Sequence, residues 1–273
     1  MITTSPIIGA LTCPRCGAKQ QAEIPEGRCV PLYVCDACGE HIAAKVEDCC
    51  VFCSYGDRRC PVGHRQGMKR PAAIAIVLAL FVLPFALVAG GVVPVDLRRW
   101  LYIFAGVVTI AVARREGWSF RDLGIRWDNA RAAALPYGIL AALGAMAIVT
   151  VALAMGRVPA VAWWAKPHFA LGLFIPVSAA QELFYRGLLI PLLQCIHAAR
   201  WFVIVANAAL FAFLHIIFPN APVVMPLSFL GGLVFAWLWL RWPNLWLASA
   251  AHVVLNAAFV LFCFGSFDGS CIR

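Results

Sequence analysis

The sequence predicts an all-α protein, a polytopic transmembrane helical bundle of seven or eight spans that follows a small N-terminal Cys-rich domain. Of the 273 residues, 63% are hydrophobic and 13% are charged, whereas soluble domains carry about 25% charged residues. Apolar segments near the ~20 residues needed to cross a bilayer recur after Pro71. Nine of the twelve cysteines, by contrast, lie before residue 61. We therefore divide the chain into a head (1–64), a basic linker (65–71), a helical bundle (72–264) and a tail (265–273).

Two CxxC pairs in the head have the spacing of a four-cysteine zinc ribbon. Cys13 and Cys16 form the first pair, Cys35 and Cys38 the second, and each pair is followed by glycine. Glycine permits the tight turn that lets backbone amides approach the thiolates. A domain this small often needs a metal to fold, so the zinc would be structural. Disulfide pairing is the alternative, and it fits poorly with a cytosolic head.

A second cluster of candidate metal ligands lies at the C-terminal end of the head. It comprises Cys49, Cys50, Cys53, Cys60 and His64. Cys50, Cys53 and Cys60, with either Cys49 or His64, could form a second tetrahedral zinc site. Free thiols in a hinge are the alternative interpretation.

Seven apolar segments follow the linker, at about 72–93, 98–113, 131–155, 168–197, 201–218, 222–241 and 244–264. The fourth contains Pro176 and Pro191, so we expect a kink there, or two joined helices and hence an eighth span. With the head in the cytosol, basic residues near the spans are about twice as numerous on the cytoplasmic side. This bias predicts an integral protein of the plasma membrane (in bacteria the inner membrane) with a cytoplasmic N-terminus.

The net charge of +9 suits loops that lie against anionic membrane lipids. The head contains six basic and seven acidic residues, so it lacks the positive surface of a nucleic-acid-binding domain. We therefore expect lipids, and no nucleic acid, among its partners.

Polar residues inside the apolar segments indicate a buried reaction chamber. Glu182 is the one acidic residue between Asp128 and Asp268, and Arg186 lies one helical turn after it. An ionisable group inside a membrane is costly and usually functional, although this pair could also be a structural clamp. His215 lies on the next helix, and His252 and Asn256 share one face of the last. Such a His–Asn pair can direct two donors at one oxyanion.

The order QExxxR, FxxxH, HxxxN resembles the three motifs of the CPBP intramembrane protease family, which includes CAAX-type prenyl proteases and bacteriocin-processing and immunity proteins. The resemblance covers about residues 115–264, including Asp122–Ile125, and not the head. It implies an endopeptidase that cleaves a peptide or protein, with or without an attached lipid. By position, His215 would assist a glutamate that activates water, His252 and Asn256 would stabilise the oxyanion, and Arg186 would hold the first helix. We expect cleavage near the cytoplasmic side, with the head gating or docking the substrate.

One position departs from the family pattern. The usual first motif is EExxxR, and its first glutamate, the usual water activator, corresponds to Gln181. Glutamine can position a water molecule but cannot accept its proton. We expect Glu182, the one carboxylate available in the core, to serve as the base. The alternative is a non-catalytic scaffold or immunity protein.

Two further questions stay open at this point. A glutamate with two histidines resembles a metalloprotease ligand set, but asparagine is a poor zinc ligand and a metal-free mechanism is equally compatible. A transporter that uses Glu182 and Arg186 as a coupling pair is a third functional class. No internal repeat of the transporter kind is visible in the sequence, which disfavours it.

Overall fold

The structure is a computed structural model that describes residues 7–25, 29–30, 32–45, 48, 50–58, 68, 70–94, 97–116, 118–159, 175–218 and 220–264. It shows the two predicted parts, a small strand-containing head and a mostly helical body. The predicted tail (265–273) and most of the linker, as well as Cys49, Cys60 and His64, lie outside the described residues.

The described part of the head contains two β-hairpins and one short helix. Strands β1 (Ile7–Thr12) and β2 (Lys19–Ile24) pair antiparallel, as do β3 (Leu32–Val34) and β4 (His41–Ala43). Helix α1 (Val51–Tyr55) packs against β1. The head's own buried cluster is small and includes Leu11, Ile24 and Phe52. A core of this size supports the expectation that the head needs a metal in addition to apolar burial.

Within the described ranges, seven helical stretches follow the linker. They are α2 (Arg70–Val77) with its continuation α3 (Leu83–Ala89), α4 (Arg98–Arg115), α5 (Ala130–Ala154), α6 (Ile175–Glu182) with its continuation α7 (Ile190–Ile196), α8 (Arg200–Phe213) with a 3₁₀ turn (Leu214–Ile217), α9 (Ala221–Arg241) and α10 (Leu245–Leu261). These stretches follow the predicted segments to within a few residues. The first part of the fourth segment, before Ile175, is outside the described residues.

Two of these stretches contain a π-helical turn, at Leu78–Val82 and Leu183–Leu189. Each turn ends immediately before a short α-helix whose first turn contains a proline, Pro84 or Pro191. Proline lacks an N–H and its ring clashes with the carbonyl four residues earlier, so the chain widens locally and remains helical. The irregularity expected from the two prolines of the fourth segment therefore lies before Pro191, and the helix continues through it.

Among the residues that the structure describes, four helical stretches are long and apolar enough to cross a membrane: Arg70–Ala89, Ala130–Ala154, Arg200–Ile217 and Ala221–Arg241, with mean hydropathies of 1.8 to 2.9. A shorter apolar helix, Leu245–Leu261, packs against the third of the seven stretches, α5. These lengths and compositions support an integral membrane protein. The count of seven or eight spans stays a prediction.

Helix α6 and its π-turn lie at the centre of the bundle, where they contact α4, α8 and α10. The loop before α5 fixes the start of α10. The backbone N–H of Leu245 donates to the carbonyl of Gly124 at 2.8 Å, and the buried Asn244 side chain donates to the Arg126 carbonyl at 3.0 Å. Gly124 has φ +74°, and a Cβ there would lie 2.4 Å from the Trp239 ring. This loop thereby sets the position of the helix that carries His252 and Asn256.

Candidate active site

Helices α6 and α10 meet through two polar pairs, one helical turn apart. His252 Nδ1 lies 2.7 Å from Glu182 Oε1, and Asn256 Nδ2 donates to Ser178 Oγ at 3.0 Å. Both pairs follow from the same spacing, because residues i and i+4 share a helix face. Contacts between α6 and α10 therefore bring residues of the first and third sequence motifs together.

Glu182 has a second partner on its own helical stretch. Arg186 Nη1 donates to Glu182 Oε1 at 3.1 Å, and both side chains have 0% exposure. The guanidinium also lies over the rings of Phe211 and Phe235, at 4.4 Å and 4.9 Å from their centroids. One charged group balances the other, and the aromatic faces further stabilise the buried cation.

The two oxygens of Glu182 differ in their surroundings. Oε1 accepts from both Arg186 and His252, whereas Oε2 is buried and has no hydrogen-bond partner among the described residues. A buried carboxylate oxygen without a donor is costly, and such sites in native structures are commonly filled by water. The arrangement can thus hold the carboxylate by one oxygen and present the other to a water molecule.

Gln181 lies beside Glu182 but does not join this network. Its side chain is 5% exposed and forms no hydrogen bond to another residue within the described ranges. Of the two adjacent residues, Glu182 is the one that contacts His252.

His215 belongs to the 3₁₀ turn that ends the α8 stretch. Its Nδ1 lies 2.9 Å from the carbonyl oxygen of Phe211, which can only accept, so Nδ1 carries the hydrogen and Nε2 keeps a lone pair. The ring stacks on Phe218, with centroids 5.5 Å apart. Phe211 contacts both imidazoles edge-on, at 5.2 Å from His215 and 5.7 Å from His252. His215 of the second motif and His252 of the third therefore pack against the same aromatic ring, that of Phe211.

The sequence analysis did not single out Ser178, which is fully buried and holds Asn256. Its position four residues before Glu182, on the same face, was the available signal. On α8, Asn207 Nδ2 donates to the Tyr185 carbonyl at 2.6 Å, inside the second π-turn. Asn207 thus caps a carbonyl in the irregular turn that follows Glu182.

In the head, the two CxxC turns form one compact cluster. The ligand atoms of Cys13, Cys16, Cys35 and Cys38 all lie within 4.8 Å of one another. The Cys13–Cys38 and Cys16–Cys35 sulfur distances are 3.9 Å and 3.8 Å. Tetrahedral zinc with bonds of about 2.3 Å requires sulfurs about 3.8 Å apart, so these residues fit the ion.

The two turns of this cluster have the same backbone hydrogen bonds. Gly17 and Gly39 have φ +73° and +70°, and each donates to the carbonyl of the first cysteine of its pair. The backbone N–H of Cys16, and then that of Arg15, lower the pKa of the Cys13 thiol to about 6. These bonds favour the thiolate of Cys13, the form that binds a metal, whereas burial and the neighbouring cysteines raise the pKa of Cys38 to about 12.

Part of the second cysteine cluster is described. Cys50 Sγ and Cys53 Sγ lie 3.5 Å apart at the start of α1. Since Cys49, Cys60 and His64 are outside the described residues, a second metal site stays a prediction. Elsewhere in the described ranges, no second group of three or more His, Cys, Asp or Glu side chains is close enough to share an ion.

Comparison with known proteins supports the motif assignment. Residues 161–258 match the Rce1-like family model, described as "Type II CAAX prenyl endopeptidase Rce1-like". The matched segment contains all three motifs and none of the head. It confirms the resemblance to the CPBP intramembrane protease family that the motif order indicated. No curated protein and no solved structure matches the chain.

Proposed function

We propose that this protein is an intramembrane endopeptidase that hydrolyses a peptide bond with water activated by Glu182. The observation that carries the proposal is the geometry of Glu182, which is bound through Oε1 to Arg186 and His252 and has no described partner at Oε2. The Rce1-like match supports a CAAX-type intramembrane protease as the class. Glu182 occupies the position of the second glutamate in the family's EExxxR motif, and in this chain it serves as the base.

The reaction needs one proton acceptor and one oxyanion site. A water molecule at Glu182 Oε2 gives its proton to that oxygen as its own oxygen attacks the carbonyl carbon, and the Nε2 lone pair of His215 orients it. The tetrahedral oxyanion accepts from Asn256 Nδ2 and from the His252 imidazole, whose Nδ1 lies against Glu182 Oε1. The proton then passes from Glu182 to the leaving amine as the C–N bond breaks, which yields a carboxylic acid and an amine. Each step uses groups of this chain and water, so we propose a reaction without an active-site metal.

For the head, we propose that Cys13, Cys16, Cys35 and Cys38 hold a structural zinc ion. Four thiolates in a tetrahedral arrangement select zinc or an iron–sulfur centre, and the paired glycine turns are those of a zinc ribbon. The substrate is a peptide or protein, as for the family, and a lipid attached to it stays a hypothesis.

The hydrolytic proposal is tested with the purified protein in lipid nanodiscs and a library of membrane-inserting peptides. We expect products whose new carboxyl groups contain oxygen from isotopically labelled water, detected by mass spectrometry. His215→Ala removes the group that orients the water, and we expect turnover to fall about 10²-fold or more. His197→Ala, at the end of α7, is the matched control and should retain turnover. If the His215 variant turned over at the wild-type rate, His215 would have no role in the chemistry.

A second candidate function, a non-catalytic scaffold or immunity protein, is favoured by one observation. Gln181 stands where the family pattern has its usual water activator, and the buried Glu182–Arg186 pair can be a purely structural clamp.

Gln181→Glu separates the two functions. If Glu182 is the base, the wild type is active and a second adjacent carboxylate gives no gain, because like charges oppose each other's ionisation. We therefore expect turnover within about tenfold of the wild type or below it, whereas restoration of a lost base would raise it about 10²-fold or more. Gln181→Met, of similar size and neutral, is the control. A large gain in the glutamate variant alone would assign the protein to the scaffold class.

A further inference from the structure

Two segments form one surface at the end of the bundle where α4 and α9 end and where α5 and α10 begin. We call this surface the cap and define it as residues 114–131 and 241–246. Besides the bonds of the α10 start described above, the Asn129 side chain joins the two segments. Its Nδ2 donates to the Pro243 carbonyl at 3.0 Å, and its Oδ1 accepts from Asn244 Nδ2 at 2.9 Å. The cap is therefore one hydrogen-bonded unit.

Three aromatic side chains of the cap are exposed. Trp127 stacks on Trp246, with ring centroids 5.5 Å apart and an angle of 11° between the planes, so the pair also joins the two segments. Even in this stack Trp127 is 69% exposed, and Phe120 is 68% exposed. Tryptophan is enriched where the hydrocarbon layer meets the lipid headgroups, because its ring is apolar and its N–H is polar. The cap thus presents an aromatic surface that is typical of the membrane interface.

The cap also carries an excess of positive charge, with six arginines and three acidic residues. Two of the acidic side chains are already bound within the cap. Asp128 forms ion pairs with Arg121 and Arg126, and Asp122 accepts from the backbone N–H and the hydroxyl of Ser119. The other four arginines are exposed and have no ion-pair partner among the described residues: Arg114, Arg115, Arg131 and Arg241. These cations are available to an anionic partner.

The position of the cap along the bundle matches the headgroup layer of a bilayer. Both α5 and α9 are long and apolar enough to cross a membrane. Arg131 is the second residue of α5, and Arg241 is the last residue of α9. The cap therefore begins where the apolar parts of these helices end, at the depth of the lipid phosphates. A guanidinium matches the geometry of a phosphate group and can bind it through two parallel hydrogen bonds.

We propose that the cap binds the headgroups of anionic phospholipids. The exposed arginines contact the phosphate groups, and the rings of Phe120, Trp127 and Trp246 lie at the boundary with the acyl chains. This interaction goes beyond the proposed protease function and does not depend on it. Because the cap also fixes the start of α10, which carries His252, the bound lipid and the candidate site are supported by the same helix.

Native mass spectrometry of the full-length protein in non-ionic detergent measures the lipid preference. Phosphatidylglycerol or phosphatidylcholine with the same acyl chains is added, and we expect the wild type to retain phosphatidylglycerol preferentially. The double variant Arg131→Gln, Arg241→Gln should bind phosphatidylglycerol at least fivefold more weakly, about the contribution of one such charge near an anionic surface. Arg70→Gln, Arg200→Gln is the matched control, because both arginines are exposed at helix starts outside the cap. It should keep the wild-type preference.

Crosslinking of the wild type locates the bound lipid without any variant. The protein is placed in nanodiscs that contain phosphatidylglycerol with a photoreactive group on its headgroup, and crosslinked peptides are identified by mass spectrometry. We expect crosslinks in the peptides that contain Phe120, Trp127 or Trp246, and we expect unlabelled phosphatidylglycerol, but not phosphatidylcholine, to compete.

Three results would overturn the proposal. The wild type could bind the two lipids equally, or the two double variants could lose phosphatidylglycerol to the same extent. The cap peptides could also lack lipid crosslinks, and crosslinks between two copies of the chain at these peptides would then assign the cap to a protein interface. If the cap double variant failed to fold, the crosslinking of the wild type would still decide. No peptide substrate is present, so a failure of the proposed protease function leaves each outcome unchanged.

Discussion

Replacing Glu182 with glutamine is expected to abolish proteolysis and to destabilise the bundle at the same time. The loss of a general base lowers turnover by about 10²–10⁴-fold. The same change leaves the fully buried Arg186 cation without its counter-charge, and breaking a buried ion pair in this way costs about 3–5 kcal/mol. Turnover per folded molecule and the thermal unfolding temperature in detergent are the two measurements.

The double variant Glu182→Gln, Arg186→Met separates these effects. Methionine has a similar length, packs well against Phe211 and Phe235, and removes the unpaired charge. We expect most of the lost stability to return and the activity to stay absent. A double variant that is stable and still cleaves peptides would show that the pair is only a structural clamp. The single variant Arg186→Met completes the cycle and measures how strongly the two residues are coupled.

Much of the candidate site could be predicted because its residues obey a short-range rule. Glu182 with Arg186, and His252 with Asn256, are separated by one helical turn, so each pair shares a face whatever the rest of the fold does. Exposing such a polar helix face to lipid costs free energy, so the face is expected to pack against another polar face inside the bundle. The contact between Glu182 and His252, at 2.7 Å, is the result.

Helical spacing and the cost of polar groups in a membrane do not predict the roles of Ser178 and Asn244. A serine is a frequent residue of apolar helices, and only its contact with Asn256 marks it as part of the site. The side-chain amide of Asn244 donates to the carbonyl of Arg126, in the loop before α5, which is far away in the sequence. Such contacts depend on the tertiary arrangement of loops, which hydrophobic periodicity does not encode.

The sequence predicted that the helix of the fourth apolar segment would be irregular, but it did not predict where the irregularity would lie. Two prolines in the fourth apolar segment predicted a kink or a break. The observed π-turn at Leu183–Leu189 lies before the second proline, Pro191, and Asn207 caps its Tyr185 carbonyl. Whether a helix bends, breaks or widens at proline depends on which neighbour can satisfy the freed backbone groups, and that neighbour lies on another helix.

Removal of the metal from the head is the second change for which we expect a large effect. Structural zinc contributes about 10–16 kcal/mol to the folding of small zinc domains, and the head's apolar cluster is too small to replace that energy. We expect Cys13→Ser to lower the zinc content by about one ion per chain and to unfold residues 7–58. Hydrogen exchange, measured segment by segment, should show loss of protection in both hairpins.

The bundle should keep its protection in the same experiment, because its buried cluster is separate from that of the head. Cys195→Ser, in α7, is the matched control and should change neither the zinc content nor the exchange of the head. Cys50→Ser tests the second cluster, since only a second bound ion would make the zinc content fall there too. A head that stays protected after Cys13→Ser, with unchanged zinc, would contradict the four-cysteine site. If the head instead unfolds while proteolysis in nanodiscs continues, its role lies outside the catalytic reaction.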